Sequence, residues 1–222
     1  MDEFSGSLHF QSYWGVMLSK DKKFIRFPEG ANWIVSSPLN DILGSIAGGL
    51  LKQLTLRIGG TSADITGIQV SHPNVQSETI RVRTLSPVVA YCTLFRGDGS
   101  KYTVYLQHGE PEFRRIVAEN LQKKWEGIRT WNQAEKKDEN ESSYPMNHAI
   151  DRLEGERRSV NIHMLNNPTR MHILEYKGGI IKGYSGMMEL SGPPPLLQVA
   201  IDAGLGSKNA QGCGCLEVMG RG

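Results

Sequence analysis

Cysteine is scarce in this chain. Cys92, Cys213 and Cys215 are the only three in 222 residues, an odd count with no spacing that suits a metal ion or a disulfide framework. Cys213 and Cys215 stand two apart, where an apolar strand begins. Burial as small apolar side chains is therefore expected, and with it a reducing compartment. Long hydrophobic runs are also missing. None approaches the ~20 residues of a membrane span, and no signal-peptide pattern opens the chain, so a cytoplasmic location is expected. Nor does one charge dominate, the formal net charge being +2. That total is not the signature of a strongly basic nucleic-acid protein, so the placement of the basic residues must decide. Apolar content of 39% is ordinary, enough for a packed core in one large domain or two small ones.

Glycine is what the chain has in quantity, and it is densest near the carboxyl end. Residues 204–214 read Gly-Leu-Gly-Ser-Lys-Asn-Ala-Gln-Gly-Cys-Gly. Glycine tolerates positive φ and close backbone approach, so such a loop can turn several amide donors toward one anion and suits phosphate. Lys208 adds a mobile cation. The plainer reading is a loop that only turns the chain. Basic residues also gather in the last third, at Arg157, Arg158, Arg170, Lys177, Lys182 and Lys208, where acids are few. That local excess marks a surface for a nucleic-acid backbone. Arg114, Arg115, Lys123 and Lys124 are expected on the exposed face of a helix, serving solubility.

Element order reads as follows. Apolar stretches at 8–18, 24–27 and 32–35 give strands. Ser37-Pro38 opens a helix as cap and first residue, with Leu39, Ile42, Leu43, Ile46, Leu50 and Leu51 at helical spacing. Strands at 54–58 and 65–70 follow, and His72-Pro73-Asn74 breaks the pattern, giving domains at 1–74 and 75–222. In the second, strands at 79–84, 88–94 and 102–106 precede a helix over 111–129. Residues 133–143, polar and without periodicity, are expected to be a solvated insertion or a mobile loop. Strands at 159–164, 171–176 and 180–190, a helix over 195–203 and a last strand at 215–218 complete the chain. From about residue 78 this is a β-α-β-β-α-β, ferredoxin-like unit. The first half has strand, strand, helix, strand, the same unit without its opening strand and helix. The fold class expected is α+β, with tandem ferredoxin-like (RRM-like) folds, the first incomplete.

This layout, with the glycine loop where it sits, resembles the CRISPR-associated endoribonucleases of the RAMP superfamily, which cut repeat RNA into guide RNAs. Gly204 to Gly214 is similar to the family pattern Gly-Leu-Gly-x-Lys-Asn-x-x-Gly-Phe-Gly, with Cys213 in place of the phenylalanine. Thr84-Leu85-Ser86-Pro87-Val88 resembles the family's LSPV strand. Glu112-Phe113 with Asn120-Leu121-Gln122-Lys123-Lys124-Trp125 resembles its EF…NLxxKY helix, and residues 180–186 resemble the strand leading to the last helix. The resemblance runs from about Leu8 to the end. Family members carry their catalytic histidine just before the strand that Leu8 to Trp14 resembles. Almost nothing precedes Leu8 here, so that strand, helix and histidine loop are expected to be absent; natural truncation, a missing fusion partner or partner segment, and an incomplete record of the chain all stay open.

The resemblance implies metal-independent attack of an RNA 2′-hydroxyl on the adjacent phosphodiester, with no metal or cofactor. His9 is the one histidine near the right region, and a histidine suits the base. On the plainer reading it is a satisfied strand residue. Tyr13 and Lys20, with Lys22 and Lys23 in the same turn, are further candidates for steadying charge or moving a proton. RNA contact is expected at Gly204, Gly206, Lys208, Asn209, Gly212, Gly214, Lys182, Arg170, Arg157 and Arg158. His163 and His172 lie on strands, where packing explains them equally well. The implied partners are repeat RNA and its guide RNA products, other subunits of a surveillance complex, and a second copy of the chain; no membrane is expected. The alternative function is a non-catalytic RNA-binding RAMP subunit of an effector complex.

Overall fold

The computed structural model describes residues 7–12, 17–18, 25–28, 30–58, 60–135, 159–165 and 169–220. The clearest sheet signal is the alternation in Thr79-Ile80-Arg81-Val82-Arg83-Thr84, which forms strand β7 (Thr79–Thr84). Before it come β1 (Ser7–Ser12), β2 (Met17–Leu18), β3 (Ile25–Arg26), β4 (Ala31–Ser36), helix α1 (Asn40–Gln53), β5 (Thr55–Ile58) and β6 (Thr61–Asp64). After it come β8 (Tyr91–Phe95), β9 (Lys101–Tyr105), α2 (Pro111–Glu135), β10 (Asn161–Met164), β11 (Arg170–Tyr176), β12 (Gly179–Ser185), β13 (Met187–Ser191), α3 (Pro194–Asp202) and β14 (Leu216–Val218).

Strand β7 is central in an antiparallel sheet ordered β10-β13-β7-β14. Numbering only these four strands along the chain, the order is 4-1-3-2, and helices α2 and α3 follow the first and third. That is the ferredoxin-like arrangement. Ile80, Val82, Ile162, Met188, Leu190 and Leu216 turn inward from the sheet. Against them α2 brings Phe113, Val117, Leu121, Trp125 and Ile128, and α3 brings Leu196, Leu197, Val199 and Ala200. Each of the larger aliphatic side chains contributes about 2 kcal/mol by leaving water, and Ala200 less. Outward along β7, Arg81 pairs with Glu189 at 3.3 Å and Arg83 with Glu217 at 2.6 Å.

The first half is looser. Strands β1 and β4 form one ladder, β5 and β6 another, and α1 buries none of its residues, leaving Ile42 and Leu51 exposed. Helix α1 starts two residues later than the Ser37-Pro38 signal implied. Ser37 Oγ instead accepts the Leu39 amide at 3.1 Å, a local turn that holds the chain out of the helix. Residues 65–70 are not a strand, because the partner of β5 comes sooner, at β6, after a tight turn. The expected strand 180–190 is two strands divided at Gly186. There the Gly186 amide donates to Thr84 Oγ1 and its carbonyl accepts from the Thr84 amide, which binds the break to the end of β7. The middle pair of the ferredoxin-like unit is therefore β10 and β13, with β11–β12 an inserted hairpin. Helix α2 also runs past Arg129 to Glu135, beyond the expected start of the polar insertion; residues 136–158 lie outside the described residues.

Candidate nucleic-acid interface

Between α3 and β14 the glycine-rich loop folds into a packed turn. Gly204, Gly206, Gly212 and Gly214 all have positive φ, and so does Lys208 at 66°. Three of the glycines are also sterically required. A Cβ on Gly204 would meet Asn209 Nδ2 at 2.6 Å, one on Gly206 would meet Val89 O at 2.5 Å, and one on Gly214 would collide with Leu205 O. Leu205, Cys213 and Cys215 are buried, as expected of the cysteines. Burial pushes the Cys213 thiol up to about 11, against a smaller opposite pull from Lys208.

Lys124 corrects the sequence expectation most sharply. It is buried, not on the exposed face of α2. Its Nζ donates to Gly204 O at 2.8 Å, Gly206 O at 2.9 Å and Asn209 Oδ1 at 2.7 Å, with Ala203 O at 3.4 Å. Asn209 in turn donates from Nδ2 to Cys213 O at 3.0 Å. The loop's underside is thus a cage of carbonyls closed on one ammonium, which satisfies charge and acceptors together.

Most of the loop's amides serve the fold and do not face solvent. Leu205 N–H donates to Gly214 O, Ser207 N–H to Val89 O and Gly214 N–H to Pro87 O. At the tip the amides of Lys208, Asn209 and Ala210 have no backbone acceptor among the described residues. Ser207, Lys208 and Gly212 are half-buried there, and Ala210 and Gln211 are exposed. The surface open to an anion is this tip, smaller than the whole glycine run. Lys208 Nζ stands 5.2 Å from the Tyr91 ring centroid, a cation–π contact across to β8 that sequence order gave no sign of.

Strand β1, which carries His9, runs beside the turn at Asn209–Gln211. His9 sits opposite Ile34 in the ladder with β4, its side chain lying outside the described residues. Tyr13, Lys20, Arg157 and Arg158 lie outside them altogether. On the β11–β12 hairpin, Arg170 shares a face with Leu174 and Ile181, whereas Lys182 falls on the other face. Leu174 and Ile181 pack toward Val89 and Cys213, so Arg170 is on the loop side and Lys182 is turned away. His172 Nε2 lies 2.6 Å from Ser185 Oγ. Burial, and then the charge of Arg170, hold its imidazole below the ordinary value.

Residues 70–218 match the family model described as CRISPR associated protein Cas6, C-terminal. Among solved structures, a Cas6-related protein from Pyrococcus furiosus aligns with a TM-score of 0.72 at 16% identity, over 98% of this chain and 80% of its own. A CRISPR associated protein Cas6 aligns at 0.70 and 17%, over 99% and 80% of the two chains. A RAMP protein binding different RNA substrates aligns at 0.66 and 18%, over 99% and 82%. No curated protein sequence matches the chain. Its fold is the one these solved structures share, tandem ferredoxin-like folds, with the first incomplete in this chain. The chain belongs to the Cas6 family, which binds and processes CRISPR repeat RNA.

Proposed function

We propose that this chain binds CRISPR repeat RNA and cuts it to guide RNA without a metal ion, gripping one phosphate at the tip of the glycine-rich loop. The observation that carries the reading is the meeting of the Lys208 tip with β1, the strand of His9. In the reaction, a base removes the proton of a 2′-hydroxyl, whose oxygen attacks the adjacent phosphorus. The bond to the 5′-oxygen breaks, and that oxygen takes a proton. The products are a 2′,3′-cyclic phosphate and a free 5′-hydroxyl. His9 is the base in this reading. Lys208 and the tip amides steady the charge on phosphorus, and Tyr13 or Lys20 supplies the proton. Arg170, on the loop side of its hairpin, and Arg157 and Arg158 hold neighbouring phosphates. Lys182, on the other face, holds a separate part of the backbone. Domains at 1–74 and 75–222 divide the work between the base and the loop.

A second reading is a subunit that holds the repeat without cutting it. It is favoured by the register of His9, opposite the apolar Ile34 in a two-stranded ladder. Incubation with end-labelled repeat RNA in EDTA separates the two. One cleavage site with a cyclic-phosphate end, lost in His9→Ala, supports the enzyme; tight binding of intact RNA supports the holding subunit. Cleavage that disappears in EDTA and returns with magnesium would contradict the metal-independent mechanism.

A further inference from the structure

Pairing between β8 and β9 sets Tyr91 opposite Tyr105, Thr93 opposite Thr103 and Phe95 opposite Lys101. Alternation puts these six side chains on one face of the hairpin. Cys92 and Val104, on the other face, pack against the core. At the base of the first face the rings of Tyr91 and Tyr105 lie 6.0 Å apart at 54°, seated on Val89, Ile181 and Cys213. At the far end Phe95 is 66% exposed. Each end carries a cation: Lys208 Nζ is 5.2 Å from the Tyr91 centroid and Lys101 Nζ is 5.6 Å from that of Phe95.

A lone exposed phenylalanine would need no explanation. Rings at both ends of one strand face, each with its own lysine and with small threonines between, are a different arrangement. Bases stack on rings while the phosphates beside them meet cations, the mode by which proteins hold unpaired strands. Tyr91 and Phe95 are four residues apart, about 13 Å along a strand, which two or three nucleotides can follow. Duplex RNA cannot use such a face, since its bases are already stacked inside the helix. The outward face of the main sheet is built differently. There β7 and its neighbours present the paired charges of Arg81, Arg83, Glu189 and Glu217, with the exposed His163 imidazole opposite Glu189 and no cation–ring pair among the described residues.

We infer that the outer face of β8–β9 is a stacking track for an unpaired stretch of RNA, with bases on Tyr91, Tyr105 and Phe95 and phosphates at Lys208 and Lys101. This deepens the proposed function and rests on it. The track begins at the loop tip, so the strand gripped by Lys208 continues along the hairpin.

The test uses the full chain with two labelled probes, decauridylate and a ribose-phosphate chain of equal length without bases, followed by fluorescence anisotropy. Phe95→Ala, at an exposed position, is expected to keep the wild-type unfolding midpoint. It should weaken decauridylate about fivefold or more while leaving the abasic chain and the salt slope unchanged. Phe95→Trp should restore the affinity. Lys101→Ala should weaken both probes alike and flatten the salt slope. Wild-type binding of both probes with no effect of Phe95→Ala, or an equal loss on both, overturns the stacking track and leaves RNA binding standing. Failure of the wild type to bind either probe or the repeat overturns both. Self-association that Phe95→Ala abolishes, with RNA affinity unmoved, assigns the face to a second copy of the chain and overturns the track.

Discussion

Lys124 Nζ lies 2.7 Å from Asn209 Oδ1, joining the middle of α2 to the tip of a loop 85 residues further along the chain. Through this ammonium the ferredoxin-like core fixes where the loop's glycines turn. Removing it strands the carbonyls of Gly204 and Gly206 and the side chain of Asn209 away from water. Lys124→Met, close in length and without charge, is expected to cost about 3 kcal/mol in urea unfolding. It should also weaken RNA binding at temperatures where the variant is fully folded. A variant as stable as wild type would mean that the cage contributes nothing net.

The glycines of the loop differ in what they tolerate. Gly214 has φ of 77° and no room for a Cβ against Leu205 O, whereas Gly220 has nothing within 4 Å of the position a Cβ would take. Gly214→Ala should therefore cost about 3 kcal/mol or prevent folding, and Gly220→Ala should be near neutral. Equal thermal midpoints for the two variants would contradict the close approach.

A pH signature follows from His172. Its folded pKa lies below the ordinary 6.5, because burial and then Arg170 disfavour the imidazolium. The unfolded chain then binds more protons in the window from 6.5 downward, so stability is fully present above that value and is lost as pH falls through it. Wild type should lose stability as pH falls below about 6.5, and His172→Gln should lose less. The difference between the two urea midpoints, followed across pH, reads this out. An identical decline in both would place the acid sensitivity elsewhere.

Cys213 should be chemically silent. Its thiol is buried and pushed up to about 11, so little thiolate forms at neutral pH. Native protein treated with iodoacetamide at about pH 8 should carry no label at Cys213, while denatured protein should be labelled there. Rapid native labelling would mean that the loop opens.

Periodicity made much of the second half legible. The two-residue alternation of Thr79 to Thr84 and the helical spacing of Phe113, Val117, Leu121, Trp125 and Ile128 both match the buried faces found. Lys124 was also within reach. It stands three residues after Leu121 and four before Ile128, on the apolar stripe itself, and a charge there signals a buried partner rather than solubility. The division at Gly186 was hidden because it depends on Thr84, 102 residues away. The pairing of Tyr91 with Lys208 was hidden for the same reason, since no local pattern ties a hairpin ring to a distant loop cation. In the first half, helical spacing located α1 to within two residues but could not say that Ile42 and Leu51 would stay exposed, with Leu43, Ile46 and Leu50 only half-buried.

The salt dependence of RNA binding by Lys208→Ala tests the central claim most directly. If the loop tip holds a phosphate, the slope of log affinity against log salt should flatten by about 0.7 for an unpaired strand and the affinity at low salt should fall. A binding curve that overlies wild type at every salt concentration would contradict it.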